Sequence, residues 1–361
     1  MARVLLIKLT SLGDLIHALP ALSDAQDARP GIEFDWVIDE NFQEIAAWHP
    51  AVSRVITTNH REWRGAVTSA ETHGSISKTI GEMRARKYDL VIDGQGNFKT
   101  ALLSLFSKGP RAGFDAASVR EWVAHLAYQR RYTATKSAHA IERLRRLFAA
   151  ALGYPLPDSA PDFRIRRERF AKPGVELPGE YLVFIHNASW KTKLWPERHW
   201  TDLIAKCTGA GFRVLLPWGN AQEEARAKRL ATRPEVQVLP RLGLSEIGHV
   251  LANARACVCM DTGLSHLAAA LNVPAITLYG STDSGLIGAS GASQLHIKSE
   301  RFCSPCQSKT CRYSSGDNPC LEEIGPERVY GELLRLTGPA AGTGLERIRA
   351  SPGSASARIA S

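Results

Sequence analysis

Four times in this chain a short apolar run passes, through a turn of glycine or small polar residues, into a segment with helical spacing, at 9–13, 94–97, 187–193 and 261–263. Strands alternating with helices in this way predict a parallel, doubly wound α/β sheet, because each parallel strand needs a crossover helix before it. The last of the four is the most informative. Residues 256–260 read as a buried strand, Asp261-Thr262-Gly263 as the turn, and 264–271 as the helix that follows. Such a turn lies at the carboxyl edge of the sheet, where ligands bind, and opens a helix whose free N–H groups attract an anion. Gly263, without a Cβ, would let a phosphate approach the backbone, and His266 stands about one helical turn further on. An ordinary helix capped by Asp261 or Thr262 would read the same way.

The start of the chain repeats the pattern, with a strand at 3–8, a loop at 9–13 and a helix at 14–27 that puts Leu15, Leu19 and Leu22 on one side. Asp14, just past the strand end, is placed to act as a base toward a ligand in a cleft. It would serve equally as a first-turn acid favoured by the helix dipole. Strands follow at 34–38, 52–57 and 88–93, and a helix at 137–152 ends at Gly153 before Pro155. Between them His60, Arg61, Glu62, Trp63 and Arg64 form a basic, aromatic surface loop, suited to an anionic and partly apolar partner or simply solvated. A second βα series begins at 181–186. The reading is therefore an N-terminal lobe over 1–155, a proline-rich linker over 156–179, a C-terminal lobe over 180–336 and a disordered tail over 337–361.

Charge narrows the partners. The formal net charge is +9, and between Lys99 and Arg146 ten Lys or Arg stand against three Asp or Glu. A basic face serves nucleic acid, an anionic membrane or a polyanionic substrate, but no zinc finger, RNA-binding signature or basic zipper is present, so no nucleic-acid partner is expected. No apolar run reaches the length of a membrane span and the first residues lack a signal-peptide pattern, which predicts a cytoplasmic protein.

Assembled in order, these pieces resemble the bacterial lipopolysaccharide heptosyltransferases, glycosyltransferase family 9, and within it the members that add the first heptose. The matching stretches are Lys8 to Pro20, Asp93-Gly94-Gln95-Gly96, Trp195-Pro196-Glu197-Arg198-His199-Trp200, Leu216-Pro217-Trp218-Gly219 and Met260 to Asp283. The resemblance implies a GT-B glycosyltransferase, two Rossmann-like lobes facing a cleft, which moves L-glycero-D-manno-heptose with inversion from ADP-heptose to the first Kdo of Kdo2-lipid A. It places the enzyme peripherally on the cytoplasmic face of the inner membrane and requires no cofactor or metal for transfer. It assigns Asp14 as the base, Lys193 and Ser189 to the diphosphate and Glu223 to the ribose. Leu242 falls near the adenine, and Asp261, Thr262, Gly263 and His266 form the donor loop. For the acceptor's carboxylates and phosphates, Arg61, Arg64, Lys99 and Arg120 are the candidates. An enzyme adding a later heptose and a silent nucleotide-sugar-binding module are the alternatives.

One segment departs from that pattern. Cys303, Cys306, Cys311 and Cys320 share a short stretch, a spacing open to a structural zinc or to ordinary reduced thiols, and similar stretches occur in members adding later heptoses. Cys207, Cys257 and Cys259 lie in apolar runs and are expected in the core.

Overall fold

The computed structural model describes residues 2–59, 63 and 69–338. They form two six-stranded sheets. The first contains β1 (Arg3–Ile7), β2 (Glu33–Asp39), β3 (Val52–Thr58), β4 (Leu90–Asp93), β5 (Arg111–Phe114) and β6 (Arg130–Tyr132), in the order β3-β2-β1-β4-β5-β6. The second contains β7 (Tyr181–Ile185), β8 (Arg213–Leu216), β9 (Val236–Val238), β10 (Ala256–Met260), β11 (Ala275–Tyr279) and β12 (Gln294–Lys298), in the order β12-β11-β10-β7-β8-β9. Every strand pairing is parallel. Helices cover both faces of each sheet, so the central strands are apolar throughout: Leu5, Leu6 and Ile7 of β1 and Cys257, Val258 and Cys259 of β10 are fully buried. Cys207 is buried as well.

Strand order explains why four turns stood out. In each sheet the winding reverses between two neighbouring strands, β1 and β4 in the first and β7 and β10 in the second. Chains leaving such a pair diverge and open a crevice at the strand ends. The turns after β1, β4, β7 and β10 are the four read from the sequence.

The lobes are not independent bodies. One apolar cluster runs from Leu15, Ile16 and Leu19 to Ile247, Leu267 and Ala268. The crossing segment between the lobes is pinned too: Phe163 and Phe170 are buried, and the Phe170 ring meets Trp48 edge-on at 5.0 Å.

Some elements differ from the sequence reading. The helix expected at 14–27 is two helices, Leu12–Ile16 and Leu19–Ala28, because Pro20 has no N–H to give to the Ile16 carbonyl. The helix ending at Gly153 does close there, with Gly153 left-handed at φ 72°, but it begins at Ala140, where the His139 side chain accepts from the Ile141 N–H. A helix at Ala70–Arg84, strand β5 and the edge strand β6 were not anticipated. Thr337 closes the helix Pro326–Thr337 instead of starting the tail, and residues 339–361 lie outside the described residues.

Candidate active site

Asp14 sits in the first turn of Leu12–Ile16, immediately beyond β1. Its Oδ2 accepts from the Ser11 N–H at 3.1 Å and from the Ser11 hydroxyl at 2.9 Å. Burial pushes its carboxyl up, but the Lys8 ammonium, the Ser11 hydrogen bonds and Arg120 together hold it below the usual carboxylate range. It is thus ionised at neutral pH and able to take a proton. Lys8 is buried at the end of the strand and donates to the Gly94 carbonyl at 3.0 Å. Burial lowers its own affinity for a proton, while Asp14 and Asp93 oppose that effect.

These residues line a cavity of about 390 Å³ together with Arg120, Lys136 and Arg143. Four cations facing one carboxylate suit an anionic ligand. Lys8, Lys136 and Arg143 were not singled out from the sequence. Lys8 had a signal, following β1 directly, whereas Arg143 is brought in by a helix far along the chain. Its guanidinium donates to the Ser118 carbonyl and lies 5.0 Å from the Phe114 ring centre. Of the acceptor candidates, Arg120 lines this cavity, whereas Lys99 is exposed on the helix Phe98–Ser104. Arg61 and Arg64 lie outside the described residues.

A second cavity, of about 530 Å³, opens at the strand ends of the other sheet. Ser189, Glu223, Leu242 and Thr262 all line it, with Phe42 from the first lobe. Glu223 accepts from the Gly219 N–H at 2.7 Å, and Asn220 caps its helix through the Gln222 and Glu223 N–H groups. Beside the cavity, Lys193 Nζ is 2.6 Å from Asp261 Oδ2 and 4.8 Å from the centre of the Trp190 ring. The same carboxylate oxygen accepts from the Thr282 hydroxyl at 2.5 Å. Asp261 is thus ion-paired with Lys193 and is not among the residues lining this cavity.

Two donor-loop residues do something the sequence did not suggest. A Cβ on Gly263 would meet Leu12 at 2.6 Å, and one on Gly13 would meet the His266 ring at the same distance. Gly263 is thus packed against the other lobe, at Leu12, a neighbour the sequence did not name. His266 is not among the residues lining the second cavity. Its Nδ1 lies 3.1 Å from His17 Nε2, and its Nε2 is 3.8 Å from Asp261 Oδ1. The helices Leu12–Ile16 and Gly263–Ala270 interlock, placing the residue next to Asp14 against the donor loop.

The four clustered cysteines line a third cavity, of about 260 Å³. All are reduced, and among the described residues no group of three or more His, Cys, Asp or Glu side chains is gathered to hold a metal ion.

The model of glycosyltransferase family 9, the heptosyltransferases, matches residues 76–315. The chain belongs to this family. Among family 9 proteins it is 47% identical to lipopolysaccharide heptosyltransferase 1 of Pseudomonas aeruginosa, over 92% of this chain and 97% of that protein. The structure of E. coli heptosyltransferase WaaC with ADP superposes with a TM-score of 0.83 at 41% identity, covering 92% of this chain and 99% of that one. WaaC with ADP-2-deoxy-2-fluoro heptose gives 0.80 at 40% identity, with the same coverage. Family 9 membership and these superpositions establish the GT-B architecture, two doubly wound lobes with parallel sheets.

Proposed function

We propose that this family 9 enzyme transfers L-glycero-D-manno-heptose from ADP-heptose to the first Kdo of Kdo2-lipid A, inverting the anomeric centre. The observation that carries the reading is the interlock itself: Gly13 against His266 sets the base-bearing turn beside the donor loop, with a cationic cavity on one side and a nucleotide-sized cavity on the other. Identity of 47% to a heptosyltransferase 1 across nearly the whole length supports the first-heptose acceptor over a later one.

In this reading the acceptor hydroxyl oxygen attacks the anomeric carbon and its proton passes to Asp14. The bond from that carbon to the diphosphate oxygen breaks at the same time, and ADP leaves with the electron pair. The charge gained by ADP is met by Lys193, drawn from its pair with Asp261, and by the free N–H groups of the first turn of Gly263–Ala270. No metal ion takes part in this step as proposed. Glu223 holds the ribose, Ser189 the diphosphate, and Leu242 packs near the base. Arg120, Lys136 and Arg143 receive the carboxylates of the acceptor. Closed lobes keep water from the donor.

No helix among the described residues is long and apolar enough to cross a membrane. We place the enzyme peripherally on the cytoplasmic face of the inner membrane, where its lipid-linked acceptor is presented. We further propose that Cys303, Cys306, Cys311 and Cys320 hold a structural zinc after closing around it. The support is their shared cavity and the way their loop is tied to the donor site: the Thr192 hydroxyl donates to the Ser308 carbonyl at 2.6 Å and the Gln307 N–H to the Ser281 carbonyl at 2.7 Å. Metal analysis of the purified protein tests this; a protein without zinc that also fails to bind it when zinc is supplied has ordinary thiols.

Mass-spectrometric detection of product tests the transfer. Wild type with ADP-heptose should add one heptose to Kdo2-lipid A, and Asp14→Ala should not. Product only from an acceptor already bearing one heptose makes the enzyme a later-heptose type. Donor binding without product from either acceptor makes it a silent module.

A further inference from the structure

The large hydrophobic side chains exposed among the described residues are gathered on one part of the first lobe, except for Phe302 and Tyr313 in the cysteine loop. On the helix Phe98–Ser104 and the residues just after it, Phe98, Leu102, Leu105 and Phe106 recur at helical spacing and form one outward stripe. The neighbouring 3-10 turn Trp122–Ala127 adds Trp122 and Leu126, which are 66% and 62% exposed. The two segments are stapled together, since Glu121 accepts from the Phe98 N–H at 2.8 Å and donates its own N–H to the Gly96 carbonyl at 3.1 Å. This is a built surface and not scattered single residues. An apolar face so concentrated marks a contact.

Three features select its partner. Exposed cations surround the stripe, namely Lys99, Lys108, Arg120, Arg130 and Arg131. The acids nearby are engaged, Glu121 with the Phe98 N–H and Asp115 with the Thr133 hydroxyl and the Ser118 N–H. The stripe is also continuous with the acceptor cavity, for Gln95 and Arg120 line that cavity and the chain passes from them within three residues to Phe98 and Trp122. A second copy of the chain seated here across a twofold axis would bring the same cations together. A bilayer with anionic headgroups satisfies both the apolar stripe and its charged rim.

We propose that this face seats the enzyme on an anionic lipid surface, with Trp122, Leu126, Phe98 and Leu102 entering the boundary between headgroups and acyl chains. Binding then points the cationic cavity at the membrane, so that a sugar attached to a lipid reaches Asp14 without leaving the bilayer. The inference rests on the lipid-linked acceptor proposed above, and the two are separable by experiment.

The test is flotation of the full chain with phosphatidylcholine vesicles, with and without phosphatidylglycerol, alongside the double variant Trp122→Ala/Leu126→Ala. Wild type should float with anionic vesicles and much less with neutral ones, and the variant should partition about tenfold more weakly. Both side chains are exposed, so the variant should keep its melting temperature and its turnover on a water-soluble Kdo acceptor without acyl chains. Turnover on vesicle-borne acceptor should fall in parallel with flotation. No flotation of wild type, or equal flotation of the variant, overturns the proposal. Concentration-dependent self-association that the variant abolishes, without vesicle binding, assigns the face to a second copy and overturns it too. Wild-type transfer to the soluble Kdo acceptor without flotation rejects only the docking face; flotation without transfer to any Kdo acceptor rejects only the acceptor.

Discussion

His17 Nε2 and His266 Nδ1 stand 3.1 Å apart across the two lobes, one ring at the end of the helix Leu12–Ile16 and one in the helix Gly263–Ala270. Both rings are buried, with centroids 4.6 Å apart. Burial, the opposing histidines and Lys8 hold His17 well below the usual histidine range. His266 is lowered by burial against the pull of Asp261 and Asp14. Both are therefore neutral at pH 7, and a single N–H lies between them. A second proton would set two donors face to face inside the interface.

That arrangement makes stability pH-dependent. A histidine whose affinity for a proton is depressed by folding leaves the unfolded chain binding more protons once the pH drops below the ordinary value near 6.5, so stability is full above that value and is lost as the pH falls. Each such ring contributes at most about 1.4 kcal/mol per pH unit. His49 and His186, both lowered to about 3 by burial, add to the same fall. The melting temperature should drop as the pH goes from 7 to 5, and His17→Gln should reduce the slope by about one proton. A slope unchanged by that substitution would show that His17 does not titrate with folding.

Removing the base should separate chemistry from binding. Asp14→Asn keeps the shape of the side chain but cannot take a proton, and a positioned base contributes roughly a thousandfold. Turnover should fall by that order while calorimetric ADP binding stays within about twofold of wild type. Because Lys8 and Ser11 hold Asp14 below the usual carboxylate range, its protonation should not shape the rate between pH 5 and 7. Activity lost in that window should track loss of folded protein, and His17→Gln should lessen it.

Lys193 and Asp261 should respond unequally. Lys193→Ala removes the charge that faces the leaving group and leaves Asp261 buried with only the Thr282 hydroxyl and a distant His266. It should weaken ADP binding at least about tenfold and cost about 2 kcal/mol of stability, seen in calorimetry and denaturant melts. Asp261→Asn frees the lysine from its partner, so ADP binding should survive while transfer falls through lost orientation. Equal loss of ADP binding in both would mean that Asp261 contacts the donor directly.

The turns after β1, β4, β7 and β10 were legible because each combines an apolar run with glycine or acid at its exit, a local pattern. Ser189, Glu223 and Leu242 came from the family resemblance and Thr262 from the turn after β10, and the structure gathers them in one cavity. What the sequence hid was non-local. Arg143 reaches the cationic cavity from a helix that begins beyond β6, and nothing in its own neighbourhood marks it. His17 has no meaning until His266, 249 residues away, packs against it. Gly263 was read as letting a phosphate approach the backbone, and its packing against Leu12 of the other lobe is a contact that no local rule identifies.

The Leu12 contact gives the sharpest test of the interlock. In Gly263→Ala the new Cβ falls 2.6 Å from Leu12 Cβ, Cγ and Cδ2, so a turn of the leucine end alone cannot relieve the clash. The lobes must part or Leu12–Ile16 must shift, and either movement displaces Asp14 from the donor loop. Misplacement by about an ångström costs on the order of a hundredfold in rate. The lesion is at the interface, so ADP binding in the second lobe should fall far less than transfer. Leu12→Gly takes away all three atoms in conflict, and the double variant Leu12→Gly/Gly263→Ala should recover part of the rate lost in Gly263→Ala. A double-mutant cycle in kcat/KM measures that coupling. Additive losses would mean that Gly263 acts through something other than Leu12, such as close approach of the donor phosphate.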